Sequence, residues 1–146
     1  MGRKIMENKT LEKGASLTDL PYYSRLVEVR KYFEENIPNF EPYGNCHPAS
    51  RLISQVTPLK QVAGDFILGN TRADHGWNYD PERQLYLDVT HDQFGSPQPI
   101  IAVPSTDPRY CISGVRSFFE RLGLIDSLTG ESSLRLQSFL KWRMKK

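Results

Sequence analysis

Residues 74–90 constrain the fold more than any other stretch, because they alternate with a period of two on both sides of a turn signal. Asp74-His75-Gly76-Trp77-Asn78-Tyr79 sets His75, Trp77 and Tyr79 on one face of a strand. Gln84-Leu85-Tyr86-Leu87-Asp88-Val89-Thr90 sets Leu85, Leu87 and Val89 on one face and Tyr86, Asp88 and Thr90 on the other. Between them, Asp80-Pro81-Glu82-Arg83 places Asp first and Pro second, as a type I turn prefers. The expectation is an antiparallel hairpin. A four-residue loop puts Tyr79 opposite Gln84, and therefore Trp77 opposite Tyr86 and His75 opposite Asp88. Shortening the loop to Pro81-Glu82 keeps the same pairs, whereas three or five residues would break them. Directly opposed Cβ atoms lie roughly 4.5–5.5 Å apart. At that distance a carboxylate can accept from one imidazole nitrogen and leave the other free.

Gly44-Asn45-Cys46-His47-Pro48-Ala49-Ser50-Arg51-Leu52-Ile53 reads as a turn running into a buried helix. Asn45 is the expected N-cap, and Pro48 is tolerated in the first turn, where its missing N–H costs nothing. Ala49, Leu52, Ile53 and Val56 form an i, i+3, i+4, i+7 stripe, and Thr57-Pro58 ends the helix. A thiol at the positive end of a helix dipole, beside an imidazole, is favoured as the thiolate. The Cys46 amide would serve as one oxyanion donor and the Asn45 side chain as a second.

Cys46, His75 and Asp88 thus form the minimum kit for nucleophilic catalysis with an oriented base. Taken singly, each has an ordinary reading: a small core thiol, a hydrogen-bonded strand histidine, an aspartate capping a strand end. Their order, their elements and the shared register favour chemistry. His47 adjoins Cys46, but neighbouring helix residues point about 100° apart, so His75 is the expected base. Asp92 follows the end of the strand and is expected to cap the turn toward Gln93-Phe94-Gly95. Cys46, His47, His75 and His91 lack the paired spacing of a zinc site, so no metal and no cofactor is expected.

At these residues the chain resembles the papain-like and transglutaminase-like cysteine enzymes, in particular their small bacterial members. In that superfamily a cysteine starts the central helix, a His-x-Trp element follows on one strand, and an Asp with a nearby Thr lies on the next. Here those are Cys46, His75-Gly76-Trp77 and Asp88-Val89-Thr90. The resemblance spans about residues 43–95. It implies a papain-like or transglutaminase-like α+β core, with Cys46 as nucleophile, His75 as general base and acid, and Asp88 as orienter. Papain carries an oxyanion-hole glutamine shortly before its cysteine, and Asn39-Phe40-Glu41-Pro42-Tyr43 has none. Asn39, Asn45 or Gln93 would have to replace it, or the backbone must suffice. Trp77, beside the presumed cleft, would shield the site.

The rest of the chain sets the frame. With 146 residues, 38% of them hydrophobic, the chain is long enough for one globular domain with its own core. Residues 1–16 are read as a flexible segment and 17–146 as a single papain-like catalytic domain. A helix is expected from Thr18 or Asp19 to about Asn36, with Pro21 in its first turn and Leu20, Tyr23, Leu26, Val27, Phe33 and Ile37 near one face. Gln61–Leu68 reads as a strand and Ile100–Val103 as a short extended piece within a proline-rich stretch. Helices are expected from Ser113 or Gly114 to Leu122, with Gly123 as C′ residue, and again from Ser132. N-terminal helices packed on a small antiparallel sheet complete the expected α+β fold.

A net charge of +2 gives no argument for nucleic acid, and no 18-residue apolar run predicts a membrane span. Clusters of basic residues sit at the two ends, Arg3, Lys4, Lys9 and Lys13 in front and Lys141, Arg143, Lys145 and Lys146 behind, as in solvated termini. Two cysteines do not make a disulfide framework. Cys111 is expected to be a buried structural residue, and a reducing, cytoplasmic location fits, with delivery into another cell left open. The expected activity is acyl transfer on an amide through a Cys-His-Asp triad and a thioester, as protease, deamidase or transglutaminase, with a protein or peptide as substrate. The rivals are a non-catalytic papain-like module that binds a protein partner, and nucleic-acid binding through the basic C-terminal helix.

Overall fold

The structure, a computed structural model, describes residues 16–42, 44–122 and 130–146. Helix α1 spans Tyr23–Asn36 and α2 spans Cys46–Val56. The strands are β1 (Lys60–Leu68), β2 (Thr71–Asp80), β3 (Leu85–Asp88), β4 (Ile101–Pro104) and β5 (Tyr110–Ile112). Helices α3 (Gly114–Leu122) and α4 (Glu131–Met144) follow, and single 3-10 turns lie at Leu17–Asp19 and His91–Phe94. The strands form one antiparallel sheet in the order β4-β3-β2-β1-β5. The protein is therefore α+β, as its alternating and helical stretches imply.

Period-two alternation gives the sheet two different faces. Leu85, Leu87 and Ala102 point toward the helices and join Leu26, Val29 and Phe33 of α1, Leu52 and Ile53 of α2, and Phe139 of α4 in the main core. Truncating Leu52 or Ile53 to alanine would cost about 2–5 kcal/mol, the usual price of an unfilled core site. The opposite face carries Val62, Phe66, Trp77, Tyr86, Ile101, Val103 and Tyr110. Phe94, from the His91–Phe94 turn, stacks on Phe66 with ring centroids 3.9 Å apart.

Helices α2 and α3 approach the first face closely. A Cβ at Gly76 would lie 2.7 Å from His47 Nδ1 and 3.2 Å from Ser50 Oγ, so glycine lets α2 settle onto β2. The Asn78 amide then donates to the Ser50 carbonyl at 2.9 Å. Ser117 of α3 hydrogen-bonds both the amide and the carbonyl of Ala63, at 3.0 and 2.9 Å.

Several expectations are corrected. α1 begins at Tyr23, because Leu20, which precedes Pro21, is extended (φ −66°, ψ 134°) and interrupts the helix. Val29 and Tyr32 are buried more deeply than Val27. Ser16, assigned to the loose leading segment, leads the Leu17–Asp19 turn, its amide donating to Asp19 Oδ2 at 3.1 Å. The rest of that segment, residues 1–15, lies outside the described residues, as does Gly123. Residues 110–112 form an edge strand that the sequence reading passed over. Tyr110 turns into the aromatic face, so alternation sends Cys111 outward, where it is exposed rather than buried. Among the described residues no helix is long and apolar enough to cross a membrane.

Candidate active site

The hairpin forms, but with its register displaced by two. Asp80 pairs with Leu85, Tyr79 with Tyr86, and Asn78 with Leu87. The loop still has four residues but moves one position along the chain, to 81–84, because Asp80 joins the strand and Gln84, at φ 53°, stays in the loop. Glu82 and Arg83 amides donate to Asp80 Oδ1 at 3.0 and 3.1 Å, which fixes that loop. Trp77 is thus not opposite Tyr86, nor His75 opposite Asp88. A shift of two keeps every side chain on its face, whereas a shift of one would reverse them. His75 and Asp88 become diagonal neighbours, still within reach of long side chains. His75 Nε2 lies 2.8 Å from Asp88 Oδ2.

Asp88 is buried and fully engaged. Its Oδ2 accepts from His75 Nε2 and, also at 2.8 Å, from the Tyr110 hydroxyl. Its Oδ1 accepts from the Thr90 amide at 3.1 Å and the Thr90 hydroxyl at 3.4 Å. His91 Nδ1 stands 3.7 Å from Oδ2. Burial raises the carboxyl's pKa, but the charge and hydrogen bond of His75, followed by those of His91, outweigh it and hold the group far below the usual carboxylate range. Asp88 is therefore a fixed anion with donors on every side.

His75, fully buried, answers in the other direction. Burial alone disfavours the imidazolium. The charge and hydrogen bond of Asp88, with a hydrogen bond and charge from Cys46, reverse that and raise the ring from 6.5 to about 9. Cys46 begins α2 on the helical side of the sheet, while His75 faces the other side. The pairing of β2 with β3 covers Asn78 to Asp80, so the preceding residues of β2 have a free edge on that side. Gln93 of the His91–Phe94 turn reaches the ring, its carboxamide nitrogen meeting His75 Nδ1. With Nε2 committed to Asp88, Nδ1 is the nitrogen that gains and loses a proton, and the Gln93 NH2 can donate to it only while it is unprotonated. Cys46, His75 and Asp88 thus act on one another in a buried cluster whose imidazole is able to take a proton from the thiol and return it.

The remaining site residues fall as follows. Asn45 precedes α2 but makes no side-chain cap; its Nδ2 donates instead to the Glu41 carbonyl at 2.7 Å. Its backbone (φ −110°, ψ 4°) is outside the extended region that a capping side chain needs. Trp77 does not line an open cleft: it is buried, lies nearly parallel to His75 at 5.7 Å, and its Nε1 is without a partner among the described residues. His47 bonds through Nε2 to Asp74 at 2.9 Å, and Asp74 is also bound by Arg116. The two histidines thus belong to separate carboxylates. Asp92 does not cap the turn with its side chain but forms a two-pronged ion pair with Arg30, at 2.7 and 2.7 Å. Arg30 also donates to the Val89 carbonyl at 2.9 Å, so α1 clamps the segment that carries Thr90 and Gln93.

Tyr110 and Arg30 escaped the sequence reading, and His91 entered it only as a candidate metal ligand. A signal for Tyr110 existed in Arg109-Tyr110-Cys111-Ile112, a short β-prone run after the Asp107-Pro108 turn pair. The chain matches no family model, no curated protein and no solved structure. The site is therefore read from its own geometry.

Proposed function

We propose that this chain is a cysteine-dependent acyl-transfer enzyme acting on an amide bond, with Cys46, His75 and Asp88 as its triad. The observation that carries the reading is the buried His75 ring, bonded through Nε2 to the anchored Asp88 carboxylate at 2.8 Å and further favoured in its charged form by Cys46. Cys46 sulfur attacks the amide carbonyl after passing its proton to His75. The tetrahedral oxyanion is met by the Cys46 amide at the start of α2 and by the Gln93 carboxamide beside the same ring nitrogen. His75 then protonates the departing amine as the C–N bond breaks, leaving a thioester on Cys46. Water or a second amine, deprotonated by His75, attacks the thioester and frees the thiol. Asp88 holds the ring and stabilises its charged form throughout. This division of roles, and the kinship with papain-like and transglutaminase-like enzymes that it implies, make a protein or peptide the proposed substrate class.

One observation favours a non-catalytic binding module instead: Cys46 is only 5% exposed and His75 0%. Catalysis requires the carbonyl to reach a sulfur that is nearly covered. Release of amine or ammonia from glutamine-containing peptides separates the two readings. Turnover by the wild type, lost in both Cys46→Ala and His75→Ala, supports the enzyme; equal binding by all three without turnover supports the module.

A further inference from the structure

Tyr110 belongs to β5, at one edge of the sheet, yet its hydroxyl reaches Asp88 on β3, three strands away. Its ring lies across the aromatic face, 5.0 Å from Phe66, 5.1 Å from Trp77 and 5.7 Å from Tyr86 between centroids. The hydroxyl ends 2.8 Å from the same oxygen, Oδ2, that accepts from His75 Nε2. It also stands 3.4 Å from His91 Nδ1. Two donors therefore compete for one carboxylate oxygen, and only one of them is the base.

We propose that Tyr110 is a positioning residue for the triad: its hydroxyl shares Asp88 Oδ2 with His75 and so sets how strongly the carboxylate holds the imidazolium. The proposal rests on the acyl-transfer reading of the site. Buried among aromatic rings and beside the Asp88 anion, the phenol is held well above its ordinary range and stays a neutral donor. A neutral donor spreads the carboxylate's charge without adding any of its own, which leaves His75 less tightly charged than Asp88 alone would make it. That matters for the second half-reaction, in which His75 must be neutral to take a proton from water or amine. The other ionisable groups facing this cluster are His91 from the 3-10 turn, Cys46 from α2, Tyr86 from β3, and Asp107 with Arg109 from the loop before β5. The last two are paired with each other at 2.8 Å.

The test is a titration of His75 by nitrogen-detected NMR in the full chain, comparing wild type, Tyr110→Phe and Tyr86→Phe. Tyr86→Phe removes a hydroxyl from the same aromatic face. Loss of the Tyr110 hydroxyl should raise the His75 midpoint by on the order of 0.5–1 pH unit. The kcat profile should move up in pH by the same amount with KM little changed, and Tyr86→Phe should leave both in place. An unmoved midpoint in Tyr110→Phe, or an equal shift in Tyr86→Phe, overturns the proposal. Should Tyr110→Phe fail to fold, the wild type still decides. The Tyr110 Cζ carbon signal follows the His75 titration if the two share Oδ2, and a flat Cζ signal overturns the role. The NMR readout needs no substrate. A shifted midpoint without turnover therefore removes the acyl-transfer reading and keeps Tyr110's influence on His75, whereas turnover with an unmoved midpoint removes Tyr110's role alone.

Discussion

Asp88→Asn is the substitution whose consequence can be worked furthest. Asparagine keeps the shape, and its oxygen can still accept from the Thr90 amide, so the segment after β3 stays anchored. Its NH2, however, would face His75 Nε2–H and the Tyr110 hydroxyl, and it carries no charge. The attraction that raises His75 to about 9 from 6.5 comes first from Asp88. At 1.36 kcal/mol per unit, that rise is worth roughly 3 kcal/mol in favour of the charged ring. Without it, burial dominates and the ring falls below its ordinary value, and the amide's NH2 favours the tautomer with its proton on Nδ1. The proton relay from Cys46 then loses its sink. The comparable change in the serine-protease template costs about 10⁴-fold. Here kcat should fall on the order of 10–10³-fold. The assay is kcat against pH together with the His75 NMR titration, with circular dichroism to confirm folding. A folded Asp88→Asn protein whose His75 still titrates near 9, or whose activity matches that of Asp92→Asn, refutes the pairing as the catalytic one.

The same pKa shift predicts a pH dependence of stability. The folded value of His75 lies above its unfolded value, so its contribution is complete below about pH 6.5 and is lost as pH rises through about 9. Urea midpoints should decline over that window in the wild type, and a decline equally steep in Asp88→Asn would contradict this origin. Gly64→Ala should lose on the order of 3 kcal/mol or fail to fold, because the new Cβ would sit 2.1 Å from the Cys111 carbonyl oxygen, a backbone atom. Gly114→Ala, with open space around its Cβ, should be close to neutral in the same urea titration. Asp92→Asn should destabilise by roughly 2–3 kcal/mol by uncoupling a buried arginine, while activity per folded molecule stays within a few-fold of wild type; unchanged stability would mean the Arg30 clamp contributes nothing.

The parts of the fold written in local periodicity were legible in the sequence. The stripe Ala49-Leu52-Ile53-Val56 fixes both ends of α2, and alternation in residues 74–90 fixes which side chains share a face. The register was not legible, because it depends on whether Gln84 joins the strand or the loop, and a single residue adopting positive φ decides that. His75 and Asp88 still share a face and a hydrogen bond because the shift was even. Contacts made across long separations left no local trace. Arg30 with Asp92, and Tyr110 with Asp88, are chosen by packing between distant segments. Nothing around Asp92 distinguishes a turn cap from an arginine's partner. Cys111 was misjudged for a related reason: Cys-Ile next to a tyrosine reads as core, but on a three-residue edge strand only one side is covered.

Trapping the thioester decides whether Cys46 takes up an acyl group with His75 as its proton carrier. The protein is mixed with p-nitrophenyl acetate, quenched in acid, and mapped by mass spectrometry in wild type, Cys111→Ser, His47→Ala and His75→Ala. One hydroxylamine-labile acetyl group should form on Cys46 in a stoichiometric burst. It should be unaffected by Cys111→Ser, kept within a few-fold in His47→Ala, and lost in His75→Ala. Acetyl found on the exposed Cys111 with none on Cys46, or labelling of Cys46 indifferent to His75, would contradict these roles.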